Sequence, residues 1–216
     1  MSSPGIQRPD LPETMTWEEL EQLPEEIAEQ IELWDGRVVW RERGPAEHQE
    51  FTNLLWSGLR RCLREAVVTD PQQCWNVHTR TDVFFDASEK SDFMTPDILI
   101  CRNSRGPYQD VRADDVLLVG EVLSPNPQTD LAASKARYAK AGITWYWEVA
   151  LERERSSIEI VRAFALETTH GELPQGTRPL YPANYLLIDK WSPKDSDAIE
   201  IDFPFPIHIP WSELAF

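Results

Sequence analysis

Basic residues are in short supply. Against 37 acidic side chains the chain carries 21 Lys and Arg, a formal net charge of −16. Nonspecific attachment to nucleic acid relies on Lys and Arg meeting phosphates, so a general nucleic-acid coat is excluded. A nucleic-acid enzyme is not, because a divalent cation locally reverses the sign of a carboxylate site. Cysteine is also scarce: Cys62, Cys74 and Cys101 are scattered, odd in number and never paired as C-x-x-C. That argues against a disulfide framework and a structural zinc site, and for small buried hydrophobes in a reducing compartment. No apolar run approaches the roughly 18–20 residues of a membrane span. The N-terminus, MSSPGIQRPDLPE, lacks both the positive start and the apolar stretch of a secretion signal. The expectation is a cytoplasmic protein of bacterial type with no membrane partner. A Gly-rich phosphate loop, H-E-x-x-H and G-x-S-x-G are all missing. His48, His78, His170 and His208 lie far apart in sequence.

What is present suits one α/β domain. The chain has 216 residues, 41% of them hydrophobic, with 9 Trp and 8 Phe to build a core. Residues 1–15 are Pro-rich and polar and read as a flexible leader, with a single domain over 16–216. Thr16 followed by Glu19 is a capping-box start for a short helix. Asp35-Gly36 inside IELWDGRVVW, residues 31–40, signals a hairpin. Phe51, Leu54, Leu55, Leu59, Cys62 and Leu63 form one stripe of a helix over 46–66. Strands follow at 74–85, 97–101 and 116–123. A helix fits 130–141, with Asp130 near its start and Gly142 past its end. Strands at 144–149 and 157–165 come next. Residues 171–216 read as edge strands and loops, with a closing turn at Trp211–Leu214.

Two acids stand beside apolar runs that read as buried strands: Asp97 in TPDILI and Glu121 in LLVGEVLSP. A charge there is costly unless it is paired or bound to a metal. If the two strands pair antiparallel with Leu99 opposite Val119, Asp97 faces Glu121 with Cβ atoms about 5 Å apart. Two carboxylates so close either raise one pKa or recruit a divalent cation, and their oxygens suit Mg²⁺. The structural alternative is that Asp97 caps a turn after Pro96 and Glu121 pairs with an arginine. On the following helix Leu131 and Tyr138 share a stripe, with Ser134 and Lys135 on its two edges. Lys135 is placed to extend its ammonium toward the carboxylates, whereas Lys140 faces solvent. For Trp145-Tyr146-Trp147, packing on both sheet faces is favoured over a base-stacking platform.

The order P-D, E-V-L-S-P, D-L, a basic residue, Y-A-x-A-G-I and Y-W resembles the Uma2 family of restriction-endonuclease-like proteins, a branch of the PD-(D/E)xK nuclease superfamily. E-L-x-D-G at Glu32–Gly36 and His48-Gln49 add to the resemblance, which spans roughly residues 16–165. It implies an α/β (α+β) fold, a restriction-endonuclease-like mixed β-sheet flanked by helices, with an N-terminal helix and hairpin. It also implies a Mg²⁺- or Mn²⁺-dependent endonuclease acting on DNA. Asp97 and Glu121 would hold the metal, Lys135 would act at the attacking water, Glu32 would be a third acid, and His48 would contact substrate or make only a local hydrogen bond. The usual lysine two residues past the glutamate is replaced by Leu123. In the resembling pattern the helix lysine stands four residues before the tyrosine, where this chain has Ser134, one position ahead of Lys135. Gly120 stands for an apolar residue, and Ala150 for an aspartate near Glu148. The alternative is a catalytically silent binding or assembly module. A homodimer is expected.

Overall fold

The computed structural model describes residues 8–41, 44–69, 74–86, 89–102, 109–123, 131–152, 157–168 and 183–215. In chain order the elements are α1 (Trp17–Leu20), α2 (Glu25–Ala28), β1 (Ile31–Trp34), β2 (Arg37–Trp40), α3 (Ala46–Thr69), β3 (Trp75–Thr79), β4 (Val83–Phe84), β5 (Phe93–Met94) and β6 (Ile98–Arg102). They continue through β7 (Val111–Arg112), β8 (Val116–Leu123), α4 (Leu131–Lys140), β9 (Trp145–Leu151), β10 (Ile158–Glu167), β11 (Asn184–Trp191), β12 (Ala198–Ile201) and β13 (Ile207–Pro210). Short 3₁₀ turns lie at Ala113–Asp115 and Trp211–Glu213. Asp130, His170, the Ser-Pro of E-V-L-S-P and the segment 171–182 fall outside the described residues, as do residues 1–7 of the expected leader.

A six-stranded sheet, ordered β11-β10-β9-β8-β6-β3, forms the centre. β8 and β9 run parallel and its other neighbours antiparallel. Parallel neighbours need a crossover, and α4 lies between β8 and β9 in sequence. One sheet face packs on α3 through Phe51, Leu55, Leu59 and Cys62, against Ile100, Leu118 and Trp147. The other gathers Leu99, Val119, Tyr146 and Tyr138 of α4. Tyr146 and Trp147 thus bury on opposite faces, as period-2 alternation requires. Their role is packing.

A second sheet, β2-β1-β5-β4-β7, carries the hairpin. Asp35 (φ 50) and Gly36 (φ 79) take the left-handed conformations that a two-residue turn of this twist demands. The chain before α1 differs from the expected flexible leader. Val38 N–H donates to the Glu13 carbonyl at 2.9 Å, Met15 N–H donates to that of Gly36 at 2.8 Å, and Met15 is buried. The expected strand 74–85 is two, β3 and β4, in different sheets. Cys62 and Cys101 are buried while Cys74 is exposed. Burial pushes the Cys101 thiol up to about 11, which keeps it protonated and inert.

Candidate active site

The expected strand register is present. Leu99 pairs with Val119 and Ile98 with Gly120, so the next rung sets Asp97 against Glu121 at the end of β6. Asp97 is buried at 8% exposure. Its Oδ2 accepts the Val122 N–H at 2.9 Å, and its Oδ1 lies 3.0 Å from His48 Nε2. The turn-cap alternative for Asp97 therefore does not describe it: its partners are 25 and 49 residues away.

Glu121 keeps some surface, on the cavity it lines. Its Oε1 accepts the Tyr138 hydroxyl at 2.7 Å. Burial first, then the Asp97 charge, holds its pKa well above the ordinary carboxylate range. The Tyr138 hydrogen bond and the Arg41 charge pull the other way. Burial and the neighbouring Glu121 push the Tyr138 phenol well up, so it stays a neutral donor.

Glu32 comes from β1 and is also buried. Its Oε1 accepts the Thr95 N–H and its Oε2 the Trp34 indole N–H, both at 2.9 Å. Burial raises its pKa, against the opposing charge of Arg41. Arg41 Nε lies 3.5 Å from Glu32 Oε1, and Arg41 Nη2 donates to the Thr95 carbonyl at 2.9 Å. Sequence reasoning missed Arg41. The signal was in the hairpin: Ile31 opposes Trp40 and Glu32 opposes Val39, so Arg41 falls on the Glu32 face.

His48 sits in the first turn of α3 and is buried against the same cavity. Its bond to Asp97 replaces the purely local bond considered from sequence, and Nδ1 has no partner among the described residues. The ring packs on Gly44 so closely that a Cβ there would come within 2.5 Å of the ring Cγ and 2.7 Å of the His48 Cβ. Those atoms cannot swing aside without moving the ring. Gly44→Ala is therefore expected to destabilise the fold by about 1–3 kcal/mol, the usual effect of overpacking, and to disturb the His48–Asp97 bond. Urea unfolding measures it, and an unchanged midpoint would show that the contact carries no constraint.

Glu32, His48, Asp97 and Glu121 thus meet at one cavity of about 110 Å³, together with Arg41 and Ser134. Lys135 is not brought to it. Its ammonium lies 2.9 Å from Glu148 Oε1 and 3.1 Å from the Phe164 ring centroid. The stripe that faces the cavity is Leu131 and Ser134, so the residue one position later points along the sheet instead. Glu148 opposes Glu121 across β8 and β9 and is buried, and the lysine answers that buried charge.

Among the described residues no three His, Cys, Asp or Glu side chains converge as a ready-made metal cage. The donor set fits a cation of another kind. Mg²⁺ keeps several waters and takes one or two carboxylates, and a cavity of this size admits several waters by volume. Asp97 and Glu121 supply those two. Burial and the Asp97 charge hold the Glu121 pKa up, and a cation held by the two carboxylates would oppose that shift.

The sequence profile of the Uma2 family, described as "Putative restriction endonuclease", matches residues 17–177. No curated protein matches the chain. Among solved structures, the crystal structure of a "putative nuclease belonging to DUF820" from Anabaena variabilis ATCC 29413 is similar. It shares 17% identity over 93% of this chain and 97% of that one, with a TM-score of 0.53, and so has the same fold. The match runs from α1 past β10 and takes in Glu32, His48, Asp97 and Glu121. The chain belongs to the Uma2 family.

Proposed function

We propose that the protein is an endonuclease that uses Mg²⁺ or Mn²⁺ to hydrolyse phosphodiester bonds in DNA. The observation that carries this reading is that Asp97 and Glu121, one step beyond the Ile98–Gly120 pair, line the same cavity, where burial and the Asp97 charge hold the Glu121 carboxyl above its ordinary range. Membership of a family described as "Putative restriction endonuclease" supports it. In the reaction, the oxygen of water bonds to phosphorus, the ester bond to one sugar oxygen breaks, and that oxygen takes up a proton. A divalent cation held by Asp97 and Glu121 would supply positive charge at the phosphate and would acidify water near neutral pH. The chain's own groups prepare the place. His48 and the Val122 N–H fix the Asp97 carboxylate, and Tyr138 fixes Glu121. Glu32, held by Thr95 and Trp34, adds a third acid to the same wall.

The test is nicking of supercoiled, linear and single-stranded DNA by the purified protein. Cutting is expected with Mg²⁺ or Mn²⁺ and none with a chelator. A protein that cuts no form of DNA with either cation overturns the proposal. A second reading, a silent binding module, is favoured by one observation: among the described residues no lysine lines the cavity, and Ser134 occupies the helix position facing it. It predicts association with a partner or a second copy that is indifferent to divalent cations.

A further inference from the structure

Phosphoryl transfer needs positive charge beside the phosphate as well as a cation between the acids, because negative charge spreads over the non-bridging oxygens. Apart from His48, Arg41 is the single basic side chain on the wall of the carboxylate cavity among the described residues. We infer that Arg41 is the phosphate-binding cation of this site, filling the part that Lys135 does not fill. The inference rests on the nuclease reading and adds to it the group that grips the scissile phosphate.

Several observations converge on Arg41. Backbone and acid groups orient it: its N–H donates to the Gln30 carbonyl at 2.7 Å, Nη2 to the Thr95 carbonyl at 2.9 Å, and Nε faces Glu32. Nη1 has no partner among the described residues, and it is not sealed in the interior. Arginine presents five donors in a rigid fork, so one edge can be anchored while the other receives a phosphate. The side chain is 21% exposed, which leaves a ligand room to approach. Arg41 and Thr95 also line a second, larger cavity of about 590 Å³. Arg41 is thus shared between the lining of the small carboxylate cavity and that of the larger one. Lys135, by contrast, spends its charge on Glu148.

A merely structural counter-ion to Glu32 would produce some of these contacts, so the experiment has to separate the two roles. Single-turnover nicking of supercoiled DNA with Mn²⁺ is compared for the wild type, Arg41→Ala, Arg41→Lys and Lys135→Ala, with the melting temperature of each. Arg41→Ala is expected to slow cleavage at saturating protein by about 100-fold, the scale for losing one preorganised donor to developing charge. Arg41→Lys is expected to recover part of the rate, since it restores the charge but not the fork. Fluorescence anisotropy with a labelled oligonucleotide and no divalent cation supplies the second readout. There Arg41→Ala is expected to make the dependence of log affinity on log salt shallower by roughly one phosphate contact. That slope does not move if Arg41 only props up Glu32.

Cleavage by Arg41→Ala at the wild-type rate overturns the inference while leaving the nuclease reading intact, and so does loss of cleavage in Lys135→Ala alone. If the wild type cuts nothing, the nuclease reading falls, and the oligonucleotide slope decides Arg41 by itself: a shallower slope in Arg41→Ala supports phosphate binding, an unchanged one ends it.

Discussion

Asp97→Asn is expected to leave the protein folded and to remove its cation-dependent cleavage of DNA by on the order of 1,000-fold. The two effects separate because Asp97 has two kinds of work. Its oxygens accept the Val122 N–H and face His48 Nε2 inside the structure. An asparagine carbonyl still accepts from Val122, and its amide still faces the imidazole, which can shift its proton to Nδ1. What it lacks is the negative charge that a divalent cation requires. Asp97→Ala removes both. It strands a buried backbone donor and a buried ring nitrogen, each costing about 1–3 kcal/mol. The alanine variant should therefore melt well below the asparagine variant, although both are inactive. Circular dichroism melts and nicking assays on the same samples decide it. Asn at this position with cleavage within about tenfold of wild type would show that the charge of Asp97 is not what the chemistry uses.

The reach of the sequence reading follows from which interactions are local. The capping box at Thr16, the Asp35-Gly36 turn and the stripe of α3 depend on neighbours within a few residues, and each is found where its pattern lies. The Leu99–Val119 register is long-range, and the sequence allows it only as a supposition that would bring Asp97 to Glu121; β6 and β8 do pair in it. A slip by one residue would turn one of the two acids to the opposite face. β5 and β7 were not legible, because two-residue strands carry no period. Lys135 was misplaced for a related reason. A helical wheel sets the edge on which it lies but not the competitor waiting there, and Glu148 arrives only when β9 docks beside β8. The hairpin register puts Arg41 on the Glu32 face, but that signal is visible only once the strand pairing is known. A cation on a hairpin edge also falls outside the pattern of a lysine on the helix after the glutamate.

Glu121→Gln is expected to raise the melting temperature of the metal-free protein at neutral pH, an unusual direction for a change at a buried polar site. Burial and the Asp97 and Glu32 charges hold the Glu121 carboxyl well above its ordinary pKa of 4.5, and the Tyr138 hydrogen bond and Arg41 offset this only in part. A folded-state pKa above the unfolded one means that the fold favours the protonated form. This group's contribution to stability is therefore complete below about pH 4.5 and is lost as pH rises through the folded value. Glutamine has the size of glutamic acid, offers Tyr138 an acceptor and never ionises. The gain over wild type should thus be largest at neutral pH, shrink on acidification, and vanish near pH 4.5. Each kcal/mol regained moves the midpoint by about 2–4 °C in a chain of this size. Glu32 has a pKa raised in the same direction and shares the cavity, so it remains to titrate in the variant. Divalent cations give the opposite ranking. Mn²⁺ should raise the wild-type melting temperature in the pH range where Glu121 is strained, and leave Glu121→Gln where it was. Melting curves from pH 4.5 to 8, with and without Mn²⁺, read both effects. If Glu121→Gln melts below wild type at neutral pH, Glu121 is ionised at no cost in the folded protein, and the upward shift that a bound cation would oppose is not there.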